Sequence, residues 1–311
     1  MAAEAAGSAL PPQLDVPGPC EEAVAAVEAD GAEDAVPVRA KLQRPCYRYG
    51  NYEAYYGYRA GAAREDHRLL SLRREWFEGR RCLDVGCNEG LVSLTLAVQF
   101  RTASFTGVDI DASLVRRAQK SLRRLQRSAA EAAAEASAQA PGESLPSERT
   151  QLAAAAGALA GSSYRCGNIL EVELPCGGLD TILVLSVTKW VHLNWGDAGL
   201  RRLFARAFQL LAPGGLLVLE PQPWKSYGQA FRKQRMPEET RVHYRAITLR
   251  PKDFAAYLLG TVGFARVEEL RGGSNAGFDR PLLLCYKDHA PASVAPAHAH
   301  DSAPAEPVCF V

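Results

Sequence analysis

Three short stretches of the chain concentrate residues that could do chemistry. The first is "LDVGCNEG", Leu83–Gly90, paired with Asp109 in "GVDID". Gly86 and Gly90 let backbone approach a ligand closely, and a carboxylate at Asp109 can take both hydroxyls of a ribose. Cys87 and Asn88 follow Gly86, so the loop is not the dinucleotide G-x-G-x-x-G. The second group is split between "LSVTKWVHLNWGD", with Lys189, Trp190, His192, Asn194 and Trp195, and "LEPQPWKSY", with Glu220, Gln222, Trp224 and Lys225. The third is "YGNYEAYYGYR", Tyr49–Arg59, with five tyrosines in eleven residues.

Each residue also has a plain structural reading. The tryptophans serve equally as core anchors, Lys189 as a solvated lysine, His192 as a hydrogen-bonded interior histidine, Asn194–Gly196 as a turn and Glu220 as a helix cap. As a group, polar side chains converging at one edge of a sheet point to a binding site.

The elements that must position these residues alternate strand and helix. "RCLDVGC" reads as a strand and "LVSLTLAVQF" as its helix; "SFTGVDI" is a strand followed by the amphipathic "SLVRRAQKSLRRLQR". "YRCGNIL" and "LDTILVLSV" are the third and fourth strands. "GDAGLRRLFARAFQLLAPGG" is a helix stopped by Pro-Gly-Gly, and "LLVLEPQPW" a fifth strand. "FARVEEL" and "PLLLCYK" form a closing pair. Repeated βα units with a final hairpin specify an α/β fold: a doubly wound, mostly parallel sheet with a late antiparallel addition. That is the Rossmann-like layout of a class I S-adenosylmethionine-dependent methyltransferase, and the first two groups then lie at the carboxyl ends of parallel strands.

The four motifs "YGNYEAYYGYR", "LDVGCNEG", "KWVHLNWGD" and "EPQPWKSY" closely resemble the Bin3 family of RNA methyltransferases, over about 47–287. The resemblance implies methyl transfer from S-adenosylmethionine, leaving S-adenosylhomocysteine, to the γ-phosphate of a small nuclear RNA with a 5′-triphosphate. It assigns cofactor binding to Tyr56, Arg68, Gly86, Cys87, Asn88, Asp109, Ile110, Asn168, Ile169 and Leu185. RNA-end contacts fall on Tyr55, Arg59 and Lys189, with Trp190, Glu220, Gln222 and Trp224 beside the substrate. Asp84, Gly86 and Gly90 match the family's loop, while Asn88 stands where glycine is commoner. Asn168 fits a polar contact to adenine and, equally, a turn residue. The resemblance further implies a nuclear protein, possible retention in a ribonucleoprotein, and a La-related RNA-binding protein as companion. The other branch of the family, acting on 5′-monophosphate ends, is the competing enzyme reading; a mainly non-catalytic RNA-stabilising subunit is the other.

A sulfonium methyl is already electrophilic and a phosphate terminus is mostly ionised near neutrality, its second pKa lying near about 6. Alignment and charge compensation therefore suffice, without a general base. Lys189 and Arg59 are the expected charge-stabilising groups, with His192 a third donor. The tyrosine-rich segment is expected over the cofactor cleft, its rings stacking on a terminal base; a permanently packed hydrophobic helix is the alternative.

Bulk properties agree with a globular protein. The 311 residues are 47% hydrophobic with a net charge of +1, and no apolar run approaches a membrane span. No secretory signal is legible. Eight scattered cysteines without a CxxC pair argue against zinc and for a reducing compartment. Residues 1–40 hold eight acids and one base, and residues 288–311 three acids and no Lys or Arg; 41–287 keeps 35 of the 36 bases against 24 of the 35 acids. A basic body between acidic tails suggests a polyanionic partner. Both tails are expected to be disordered, and 128–163 is expected to be an insertion loop in one domain, on the strength of Pro141, Gly142 and Pro146.

Overall fold

The computed structural model describes residues 47–51, 69, 71–138, 147–233, 236–270 and 280–289, all within the unit Pro45–Val311. Seven strands form one sheet: β1 Arg81–Val85, β2 Ser104–Asp109, β3 Ser163–Cys166, β4 Leu179–Leu185, β5 Leu211–Glu220, β6 Arg266–Leu270 and β7 Leu282–Tyr286. Their order is β3-β2-β1-β4-β5-β7-β6. The first five are parallel, and β7 runs antiparallel between β5 and β6. The strand order reverses beside β1, where β2 and β4 flank it, and the crevice at a reversal is where open α/β sheets bind ligands.

The described helices are α1 Leu91–Phe100, α2 Ala112–Ala138, α3 Ser147–Ala154, α4 Ala156–Ala160, α5 Thr188–Leu210, α6 Lys225–Lys233, α7 Arg241–Ala246 and α8 Phe254–Tyr257. Successive β4 side chains serve opposite layers. Ile182 and Val184 pack with Leu200, Leu203 and Phe204 of α5, whereas Leu183 and Leu185 pack with Val92 and Leu96 of α1. A strand covered on both faces must be apolar throughout, which is why "ILVL" reads as an unbroken run.

One expectation is corrected. The stretch 128–163 is largely helical: α2 continues to Ala138, and α3 and α4 follow. Ala129, Ala132, Ala155, Ala158 and Leu159 are buried, and all but Ala132 join a cluster with Leu94, Ala97, Val115, Ala118 and Leu122. Pro141, Gly142 and Pro146 lie outside the described residues, in the link between α2 and α3. Alanine made the difference, because its methyl fills a close helix–helix contact yet hardly registers as an apolar stripe. The helix read from "GDAGLRRLFARAFQLL" begins earlier: "TKWVHLNWGD" forms the first turns of α5, and of the Asn194–Gly196 turn only Gly196 breaks the helix (φ 63°, ψ −166°).

Candidate active site

The glycine loop leaves β1 at Val85. Gly86 has φ +70°, and a Cβ there would sit 2.4 Å from Cγ2 of Val187, so glycine is required both by conformation and by space. Asn88 also takes a positive φ, 52°, which asparagine tolerates better than most residues. Its backbone N–H donates to Oδ2 of Asp109 at 2.8 Å, while Oδ1 accepts the N–H of Asp111 at 3.0 Å. The buried carboxylate is thus tied to the loop of the neighbouring strand. Burial raises its pKa, and the N–H bonds from Asp111 and Asn88 work against that rise. Two accepted bonds leave part of its roughly four lone-pair sites for a ligand.

These groups line a cavity at the carboxyl ends of β1, β2 and β4, with about 760 Å³ of space including its open mouth. Gly86, Asn88, Asp109, Ile110, Asn168, Ile169, Leu185 and Trp190 all line it. Asn168 does so while its Oδ1 accepts the N–H of Leu170 at 3.1 Å, so the wall position and the turn coexist. Cys87 is not in the wall; its thiol is fully buried against α1 and α2, and only its backbone belongs to the loop.

The tyrosine-rich segment was expected over this cleft, and its first residues do line it, although none of those residues was singled out. Tyr49, Gly50 and Asn51, the first residues of the tyrosine-rich stretch, line the same cavity as the glycine loop. Tyr49 stacks on Trp195 with centroids 6.0 Å apart and planes inclined by 18°. Gly50 lies against the Trp190 indole, where a Cβ would come within 2.1 Å of the ring. Nδ2 of Asn51 donates to Oδ2 of Asp111 at 2.6 Å, and its buried Oδ1 has no hydrogen-bond partner among the described residues. Arg48 Nε donates to Oδ1 of Asn194 at 2.9 Å, and Asn194 Nδ2 returns a bond to the Arg48 carbonyl at 3.0 Å. Asn194, read as a turn residue, is a clamp. The tyrosines and Gly-Asn at the head of that stretch were the available signal. Tyr55, Tyr56, Arg59 and Arg68 lie outside the described residues.

A second cluster sits at the ends of β4 and β5. Ser186, at φ +62°, donates through Oγ to Oε2 of Glu220 at 2.7 Å and accepts from Nη1 of Arg280 at 2.9 Å. Arg280 Nη1 also lies 3.6 Å from Glu220 Oε1. Oε1 of Gln222 accepts from Thr188 Oγ1 at 2.9 Å and from the Lys189 N–H at 3.0 Å, and its amide donates to the Ser186 carbonyl. Lys189 is 4% exposed, with Nζ 4.0 Å from the centroid of Trp190. Burial, and then the charge of Arg280, lower its pKa to about 7. Arg280 carried no motif. It arrives because β7 is antiparallel to β5 and so starts where the parallel strands end.

Several residues expected at the substrate have partners within the fold. His192 is fully buried: Nε2 meets Oδ1 of Asp197 at 2.7 Å and Nδ1 meets the Tyr227 hydroxyl at 3.3 Å. Burial lowers its pKa despite Asp197, so it is a structural, interior histidine rather than a phosphate donor. Trp224 stacks on Tyr244 at 5.2 Å, in an apolar cluster with Tyr227 and Trp190. Glu220, Gln222 and Trp224 are outside the cavity wall; the first two brace Ser186 and the start of α5.

Comparison with known proteins follows this geometry. A family model for a methyltransferase domain matches residues 83–217, and one described as Bicoid-interacting protein 3 (Bin3) matches 179–287. A probable RNA methyltransferase of Arabidopsis thaliana is 40% identical over 266 residues, 79% of this chain and 83% of that protein. The chain belongs to the Bin3 family. The U6 snRNA methylphosphate capping enzyme of Drosophila melanogaster is 38% identical over 78% of this chain and 75% of its own length. The human 7SK snRNA methylphosphate capping enzyme is 37% identical over 81% of this chain, which spans only 41% of that protein.

This Bin3 protein is therefore an S-adenosylmethionine-dependent methyltransferase, and its cavity fits that cofactor. The glycine cradle admits a close approach, Asp109 offers acceptors to ribose hydroxyls, and Asn51 holds a buried acceptor without a partner among the described residues. Ile110 and Ile169 supply apolar walls, and Asn168 a polar edge. When bound, the cofactor supplies an electrophilic methyl group.

Proposed function

We propose that this Bin3 protein methylates the γ-phosphate at the 5′-triphosphate end of a small nuclear RNA, forming a methylphosphate cap. The observation that carries the reading is the pair of cations, Lys189 and Arg280, gathered at the ends of β4 and β5 beside the cofactor cavity. Glu220 partly compensates Arg280, and Lys189 is buried next to it at a cost that an incoming anion would offset. A preorganised cation at the acceptor stabilises charge without reorganisation during the reaction. The phosphate oxygen is itself the nucleophile, so the site needs alignment and charge, and the aromatic lining of Trp190, Tyr49 and Trp195 supplies an apolar wall beside the terminal nucleotide. The capping enzymes named among its relatives support the same chemistry. The RNA-end reading places the protein in the nucleus, within a ribonucleoprotein that retains the capped RNA and carries a La-related RNA-binding protein.

The test is methyl transfer to one RNA sequence bearing a 5′-triphosphate, 5′-monophosphate or 5′-hydroxyl. Transfer confined to the triphosphate is expected. Preference for the monophosphate would move the protein to the other branch of its family, and transfer to the hydroxyl-ended RNA would exclude a phosphate acceptor.

A further inference from the structure

Helix α2 presents a row of cations with no role in the site. Arg116, Lys120, Arg123 and Arg127 are all exposed. Their spacing of four, three and four residues places them on one helix face, and at 1.5 Å per residue the row extends about 16 Å. Among the described residues none of the four is in an ion pair; the salt bridges of α2 join Arg117 to Glu89 and Glu135 to Arg149. Like charges at these spacings destabilise a helix by about 0.2–0.5 kcal/mol per pair, and the row contains three successive pairs. Within the protein alone the pattern is unfavourable. A polyanion along the row reverses its sign.

The row begins close to the active site. Helix α2 starts one residue after Asp111, which holds Asn51 of the cavity wall. Arg116, the first of the four, acts electrostatically on Cys166, the neighbour of wall residue Gly167. The four charges thus lead away from the cavity rim. No exposed large hydrophobic residue belongs to the row; those described are Leu91, Val242 and Leu259. A protein partner would call for an apolar anchor and a membrane surface for inserted side chains. Evenly spaced charge alone matches a sugar–phosphate backbone.

We propose that Arg116, Lys120, Arg123 and Arg127 bind the phosphate backbone of the RNA body behind the 5′ end held in the active site. This rests on the RNA-end reading above, and it assigns affinity for long RNA to a surface separate from the chemistry.

The experiment compares the wild type with the variant Arg116→Gln, Lys120→Gln, Arg123→Gln, Arg127→Gln, glutamine being a comparable helix former. Two triphosphate RNAs share a 5′ sequence: a tetranucleotide, too short to follow α2, and a hairpin of about 30 nucleotides. The expected result is a hairpin Kd raised on the order of 10–100-fold near physiological salt, and a log–log salt slope shallower by roughly 3–4. Turnover on the tetranucleotide and S-adenosylmethionine affinity should stay unchanged. An unaltered hairpin affinity and slope would overturn the proposal, even if binding to anionic lipid vesicles were lost instead. So would an equal loss on both RNAs. If the fourfold variant fails to fold, the two pairs, Arg116→Gln with Lys120→Gln and Arg123→Gln with Arg127→Gln, should each give about half the change in slope; no change in either overturns it. Should the wild type methylate neither RNA, the RNA-end reading fails, while hairpin affinity still decides the row.

Discussion

Asn88 follows β1 and Asp109 ends β2, 21 positions on, yet the carboxylate of the second accepts the backbone N–H of the first at 2.8 Å. The residue expected to hold a ribose also holds the glycine loop through Asn88. Replacing Asp109 with alanine removes bonds worth about 1.5–3 kcal/mol each to a charged acceptor, and loosens the loop as well. Calorimetry should show S-adenosylmethionine affinity reduced by at least about tenfold in a folded Asp109→Ala protein. Undiminished affinity would remove Asp109 from the cofactor site.

Lys189 should govern the acceptor side. Its alanine variant is expected to lose on the order of 100–1000-fold in methyl transfer with S-adenosylmethionine binding nearly unchanged. Because its pKa is lowered to about 7, the ammonium is present below that pH and lost above it. The value of kcat/KM on triphosphate RNA should fall as pH rises through about 7, since that parameter reports the free enzyme. In Lys189→Arg the alkaline limb should disappear, because guanidinium stays charged. Stability takes the opposite sign: the unfolded chain binds the proton more tightly, so this residue's contribution improves with pH between about 7 and 10.5.

The buried His192–Asp197 pair should matter to stability rather than to phosphate recognition. Partial burial opposes ionisation of Asp197, but bonds from His192, Thr248 and Leu249 prevail and lower its pKa to about 2. A depressed carboxylate stabilises the fold above its ordinary value and loses that contribution as pH falls toward 2. Urea unfolding should show Asp197→Asn clearly less stable than wild type near neutral pH, with the gap closing between about pH 4 and pH 2. A gap independent of pH would show that the charge is not what stabilises.

Residues 128–163 should be indispensable. Leu159 is fully buried between α4 and the cluster on α1 and α2, so Leu159→Ala should cost about 2–5 kcal/mol by denaturant unfolding. Excising 128–163 should leave no cooperative transition. A shortened protein with wild-type melting would return this stretch to the status of a dispensable loop.

The sequence alone determined the alternation of strand and helix, and with it the crevice, because an apolar run such as "ILVL" and a glycine loop after a strand are local signals. The family resemblance named Gly86, Asn88, Asp109, Ile110, Asn168, Ile169 and Leu185, and the structure gathers these residues into one cavity lining. Local pattern misjudged the alanine helices after Ser128, since the burial of a methyl depends on what lies across from it. It could not tell that His192 faces Asp197 and Tyr227 while Trp190, two residues earlier, faces the cavity. Nor could it bring Arg280 to Ser186, 94 positions away in the chain, or Arg48 to Asn194. Those pairings follow from the antiparallel entry of β7 and the docking of residues 47–51 on α5. Hydrogen bonds and charge compensation between distant segments depend on where the chain brings them together, and only the tertiary structure decided that.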